Sequence, residues 1–335
     1  MRLCVRGSML KLSKAYTCLG GCNCSTDVVT SGIEVYCRGK NMHRIPAEAL
    51  AREAWGSVVI DFGLNELSAL PANAFRGQTK LKRLILDHND IEKVDPACFN
   101  KLPKLLYLDI SINKITKLPR RVFSRLANLK VLDLSQNSLD SVSAATFDGL
   151  RNLEALFLQN NPTLNYIPAT TFTNLPRLKY LFLYGCGLRS VSIPDTGLNV
   201  KYIWLFGNPL NCNCRLVSLA MYLQTSKVIL DSGLEKLEVD TGNPRGDAAV
   251  RVKLNSIRVK IMPTICVSPT NRHRSVVGIP VAKIPVGSLT CPDEPVYIIV
   301  SVFLGIICFA LSVPVVFCLV GAYLLVLKLG KTKFG

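Results

Sequence analysis

At 335 residues the chain is longer than a single ordinary hydrophobic core requires, so it holds either several domains or a stacked repeat. It carries 40 Lys and Arg against 23 Asp and Glu, a formal charge of +17 that favours acidic partners, nucleic acid among them. Thirteen cysteines argue against a reducing compartment, and with it against an intracellular nucleic-acid role.

Residues 1–17 stand where a signal peptide belongs, but Arg6, Lys11 and Lys14 interrupt any apolar run. The expectation is a truncated or misassigned start. Cys18, Cys22, Cys24 and Cys37 follow, spaced C-x3-C-x-C-x12-C. Four cysteines allow three pairings, and spacing alone does not choose among them. A zinc site is the rival reading, weakened by the missing C-x2-C. Asn23-Cys24-Ser25 has the form of a glycosylation sequon, which makes Asn23 a candidate acceptor.

From Ser57 to Leu210 one pattern recurs. Ile60, Phe62, Asn65 and Leu67 set it, and it returns as Leu81, Leu84, Leu86, Asn89, Ile91 and as Leu105, Leu108, Ile110, Asn113, Ile115. Further copies carry Asn137, Asn161, Cys186 and Asn208, so the Asn-type positions step by 24, 24, 24, 24, 25 and 22 residues. In each L-x-L the two apolar residues point one way and the intervening residues the other. One short strand per turn therefore gives a shared core and an open face, and turns must stack to bury their apolar sides. An Asn inside the bend after the strand needs its amide satisfied, and neighbouring backbone groups are the available partners. Cys186 reads as a small buried thiol in that slot. Phe75, Phe99, Phe123, Phe147 and Phe172 read as a stacked aromatic layer beneath the opposite side.

The outward positions form columns. Between the two core positions run Asp61, Ile85, Asp109, Asp133, Phe157, Phe182 and Trp204. Before them run Val59, Arg83, Tyr107, Val131, Ala155, Tyr180 and Tyr202; after them run Gly63, Asp87, Ser111, Ser135, Gln159, Tyr184 and Phe206. The face is acidic and polar early and aromatic late. Phe157, Tyr180, Phe182, Tyr184, Tyr202, Trp204 and Phe206 are the candidate ligand-binding residues, expected to face outward. The alternative is that a later loop covers them and makes them ordinary core.

After the repeats come Cys212 and Cys214, with Cys266 and Cys291 far downstream. Arg245-Gly246-Asp247 spells an integrin-ligand tripeptide, against the plainer reading of a loop with that composition. Val250–Leu254 and Ile257–Ile261 alternate on either side of Asn255-Ser256, which predicts a β-hairpin. Its Arg251, Lys253, Arg258 and Lys260 share one face, a candidate anion-binding site for heparan sulfate or a solvated basic strand pair. Val296–Leu327 holds 32 residues without a charge, enough to span a bilayer. Lys328, Lys331 and Lys333 follow at once, so the tail is expected in the cytoplasm and the repeats outside. Cys308 and Cys318 read as lipid-facing or packed. The sequence has no G-x-x-x-x-G-K-[ST], H-E-x-x-H, G-x-S-x-G or C-x2-C motif. His43, His88 and His273 are scattered, with His88 beside Asp87 as an exposed polar pair. No enzyme activity and no cofactor are expected.

The consensus L-x-x-L-x-L-x-x-N/C-x-L resembles the leucine-rich repeat. The first cysteine group, with Val35-Tyr36-Cys37 and Ile45-Pro46, resembles the N-terminal cap of extracellular members of that family. Asn208-Pro209 to Leu223 resembles their C-terminal cap, with Tyr222 where the family has Trp, and the gap from Cys214 to Cys266 is about twice the family's usual length. The resemblance implies the pairs Cys18–Cys24, Cys22–Cys37, Cys212–Cys266 and Cys214–Cys291. It implies an α/β solenoid, a horseshoe with disulfide-rich caps and one C-terminal transmembrane helix. The organisation is then an N-terminal segment 1–17, cap 18–56, repeats 57–210, C-terminal cap with insertion 211–291, transmembrane helix 296–327 and cytoplasmic tail 328–335. Members of this layout imply a plasma-membrane recognition or adhesion receptor that binds an extracellular protein on its concave face. The short tail would leave signalling to a membrane-embedded co-receptor. An auxiliary subunit of a membrane complex such as an ion channel, and an immune recognition protein like the lamprey variable lymphocyte receptors, are the alternatives.

Overall fold

Each repeat contributes one three-residue strand. These are Val59–Asp61, Arg83–Ile85, Tyr107–Asp109, Val131–Asp133, Ala155–Phe157, Tyr180–Phe182 and Tyr202–Trp204. They pair in parallel with residues of equal repeat position side by side, Leu84 with Leu108 and Leu156 with Leu181. The period of the sequence thus becomes the register of the sheet. The computed structural model describes residues 3–5, 8–10, 15–26, 32–193, 199–211, 217–225 and 229–230. The chain divides into two units, 1–289 and 290–335, and every described residue lies in the first.

Ahead of the repeats the sheet continues through Ile33–Tyr36, parallel to the first repeat strand, and then antiparallel through Cys22–Thr26 and Ala15–Cys18. At its other end Ile229–Leu230 pairs with Tyr202–Trp204. Cys18–Cys24 and Cys22–Cys37 form disulfides, the two pairs the resemblance implied at this end. The helix Ala47–Glu53 lies between these strands and the repeats and buries Leu50. Its Glu53 carboxylate accepts the backbone N–H of Leu19 at 2.8 Å, which ties the helix to the disulfide loop. That bond, helped by Arg52, holds the Glu53 carboxyl below its usual range.

The Asn side chains bind consecutive turns together. The Asn113 amide donates to the carbonyls of Leu86 and Ile110, while its oxygen accepts the N–H of Ile91 at 3.0 Å. Asn89, Asn137 and Asn161 repeat this arrangement toward Leu67, Ile115 and Leu139. A buried amide satisfied on both sides is a net contributor, whereas half of one would be a cost. Cys186 departs from the rule. Its thiol, 5 % exposed, donates to Leu158 O at 3.2 Å and offers no acceptor in the place of the amide oxygen. The N–H of Leu164, which would have used that acceptor, instead bonds Asn161 O at 3.1 Å. Burial raises the Cys186 thiol to about 11.

The residue before each of these positions turns left-handed: Leu64, His88, Ile112, Gln136 and Asn160 have φ between 52° and 57°, and Gly185 and Gly207 take the same role at 64° and 69°. Only the last two use the residue type that adopts this conformation without steric cost. Beneath the core, Phe75, Phe99 and Phe123 stack with centroids 6.2 and 5.9 Å apart, as the recurring Phe positions predict. Phe147 and Phe172 are buried in line with them in sequence.

The α component of the expected α/β solenoid is absent from the described part of the repeats, where the one helix is the 3-10 turn Ala169–Phe172. The other return segments are successive tight turns, such as Ala74 N to Pro71 O, Arg76 N to Asn73 O and Gln78 N to Phe75 O. A 24-residue period leaves too few residues in the return path for several helical turns, and i to i+3 bonds satisfy the backbone within that length. Among the described residues no helix is long and apolar enough to cross a membrane. Val296–Leu327, the basic tail, and Cys212, Cys214, Cys266, Cys291, Cys308 and Cys318 lie outside the described residues.

Candidate functional site

The sheet face opposite the leucine core divides into two halves, as the columns predict. The acidic half is an ion network. Arg38, just ahead of the repeats, places Nη1 2.7 Å from Asp87 Oδ1 and Nη2 2.8 Å from Asp87 Oδ2, with Nη1 also 3.4 Å from Asp61. His88 Nδ1 lies 2.7 Å from Asp87 Oδ2. Burial alone would raise the Asp87 carboxyl, but the Arg38 and His88 hydrogen bonds and the Arg38 charge outweigh it and hold the group below its usual range. Asp61 goes the other way: burial lifts it, and the Gly63 N–H and the more distant Arg38 only partly compensate. The expected exposed Asp87–His88 pair is therefore corrected, because Asp87 is 8 % exposed and Arg38 is its main partner. Reading repeats by period passed over Arg38, which precedes the first of them. The unbalanced acids of the column were the one available signal.

Further along, Asp109 and Asp133 each accept the N–H and hydroxyl of the serine two residues on, Ser111 and Ser135. Tyr107 donates its hydroxyl to Asp109, and the Arg83 guanidinium stands 5.5 Å from the Tyr107 ring centre.

The aromatic half is a set of ring stacks. Phe157, Phe182 and Trp204 form the middle column, with centroids 4.3 and 4.1 Å apart and rings parallel within 6°. Tyr180 stacks on Tyr202 at 5.4 Å on one side, and Tyr184 on Phe206 at 4.6 Å on the other. The parallel strands hold equivalent side chains about 4.8 Å apart, which is the distance at which aromatic rings stack. All seven belong to a second apolar cluster, distinct from the core that contains Leu181, Leu183, Ile203 and Leu205. They therefore point away from the core, as expected.

They do not all stand exposed, which corrects the expectation. Phe157, Tyr180, Phe182 and Trp204 are 1 %, 5 %, 0 % and 2 % accessible, and only Tyr184, Tyr202 and Phe206 are half-buried. Phe182 is stacked on both faces, by Phe157 and Trp204, and the flanking tyrosine and phenylalanine pairs pack against the same cluster. In the aromatic half, Trp204 Nε1 and Gln159 Oε1 are buried with no hydrogen-bond partner among the described residues.

Asn23 is exposed on the Cys22–Thr26 strand. Arg251, Lys253, Arg258, Lys260 and the Arg245-Gly246-Asp247 tripeptide lie outside the described residues. Among the described residues no group of His, Cys, Asp or Glu is arranged to hold a metal ion. Cys98 is a buried free thiol, raised far above its usual range by burial and by the charge of Asp95.

The family described as Leucine rich repeat matches residues 79–139, 107–162 and 127–188. Together these matches span residues 79–188. Two curated relatives carry that name: Leucine-rich repeat-containing protein 3 of Rattus norvegicus and of Mus musculus, each 30 % identical over 86 residues. That match covers 26 % of this chain and spans 31 % of the relatives' own length. Among solved structures, this chain is similar in fold to a chain from an octameric complex of Latrophilin 3 (Lec, Olf), Unc5D (Ig, Ig2, TSP1) and FLRT2 (LRR). The TM-score is 0.52 at 23 % identity, over 72 % of this chain and 63 % of that one.

Proposed function

We propose that the leucine-rich repeats form a non-enzymatic recognition module of a cell-surface protein, which binds an extracellular protein on the sheet face through its aromatic half. The observation that carries this reading is the stack of Phe157, Phe182 and Trp204, flanked by the half-buried Tyr184, Tyr202 and Phe206. A core does not need a second apolar cluster on the far side of its strands. Rings locked by stacking lose little conformational entropy when a partner docks, and Trp and Tyr are enriched among residues that dominate binding. Two disulfides support an oxidising, extracellular setting. The fold likeness to a chain from an octameric complex of several proteins is consistent with a protein partner.

The test is hydrogen exchange of the full chain with and without a partner recovered by proximity labelling at the cell surface. Protection on the strands Tyr180–Phe182 and Tyr202–Trp204 supports the reading. Protection confined to the return segments places the docking surface elsewhere.

A further inference from the structure

A second surface lies on the return segments, away from the sheet strands. Pro96, Asn100, Arg120, Arg121, Ser124 and Arg125 line an open groove of about 440 Å³ between consecutive turns. Arg120, Arg121 and Arg125 are all exposed. Arg121 is fixed in place: its backbone is left-handed at φ 60°, its N–H bonds Ala145 O at 2.7 Å, and its Nε pairs with Asp148 at 3.2 Å. Asp95, on the preceding turn, accepts the N–H of Ala97 at 2.7 Å. Arg120 and Arg125 make no ion pair among the described residues. Three guanidiniums thus flank one groove, two of them uncompensated, with the Asn100 amide and Ser124 hydroxyl as neutral donors.

We propose that this groove binds a sulfated polysaccharide. The guanidinium fork matches the oxygens of a sulfate group, and an open trough lined by several forks suits a chain that carries its anions at intervals. Nucleic acid is the poorer fit, because no aromatic ring among the described residues lines the groove to stack a base. The disulfides ahead of the repeats favour an oxidising, extracellular setting, where sulfated glycans rather than nucleic acids are the abundant polyanions. This site is separate from the sheet face.

The experiment titrates the purified full chain with a size-defined heparin oligosaccharide across a range of salt concentrations. Arg120→Ala with Arg125→Ala should reduce the slope of log affinity against log salt by about 2, one for each guanidinium removed. Lys40→Ala with Lys80→Ala removes the same charge from exposed positions off the groove and should leave the slope unchanged. Replacing Arg251, Lys253, Arg258 and Lys260 by Ala should leave the effect of the groove pair intact. An unchanged slope in the groove variant, or an equal fall in the Lys40/Lys80 variant, overturns the proposal. A single-stranded DNA oligonucleotide of matched charge that shows the same groove-dependent slope would overturn the assignment to a sulfated glycan. The thermal midpoint of the groove variant should match the wild type, since neither side chain is buried or paired.

Discussion

Arg38 grips Asp87 with two parallel hydrogen bonds of 2.7 and 2.8 Å across a separation of 49 residues. It reaches Asp61 only weakly, at 3.4 Å. The two carboxylates consequently have opposite effects on stability. A carboxyl held below its usual range stabilises the fold above the unfolded value, and that stability is lost as pH falls through the folded value. A carboxyl raised by burial does the reverse, since the folded state then favours the proton. Asp87→Asn should therefore lower stability at neutral pH by about 1 kcal/mol, a figure discounted for solvent around the partly open Arg38. Asp61→Asn, which keeps an acceptor for the Gly63 N–H, should raise it. Denaturant titrations at neutral pH and in acid check both signs, because both differences should shrink once the carboxylates are protonated.

The Asn and Cys slots predict an asymmetry. Asn113→Cys strands the Ile91 N–H and should cost about 1–3 kcal/mol. The reverse change, Cys186→Asn, should recover nothing, because the Leu164 N–H already pairs with Asn161 O. Equilibrium unfolding of the two variants decides the point.

Ile112 is β-branched and left-handed at φ 54°, a combination that carries steric strain. Ile112→Gly should stabilise the protein by about 1 kcal/mol despite the greater entropy of glycine in the unfolded chain. Gly185→Ala, at the equivalent position, should destabilise it. The shift in thermal midpoint is the readout.

Much of this architecture was legible because each turn repeats the same physics. The period fixed the parallel register, the core positions and the Asn amides that bridge turns. The Phe layer followed from the same count. What escaped was whatever breaks periodicity or depends on packing around a column. Arg38 lies before the first repeat, so no column contained it. The seven outward rings were legible as residues but not in their burial, because alternation shows which side of a strand a ring takes and not how rings shield one another. The fold class implied an α component, but a short period returns the chain through tight turns instead.

The Cys22–Cys37 bridge joins the antiparallel strands to the residue just past Ile33–Tyr36. Removing it with Cys37→Ser should cost about 2–5 kcal/mol. The expected result is intracellular retention, measured as loss of surface protein relative to total.

The most direct measurement of the central claim is the dissociation constant of the full chain for its protein partner, in the wild type and with Tyr202→Ala and Phe206→Ala. Both side chains are half-buried on the sheet face, and neither belongs to the leucine core. The account predicts that each variant weakens binding by about 2 kcal/mol, roughly thirty-fold, with surface expression preserved. An unchanged dissociation constant alongside a lowered thermal midpoint would contradict it, because the rings would then serve only the fold.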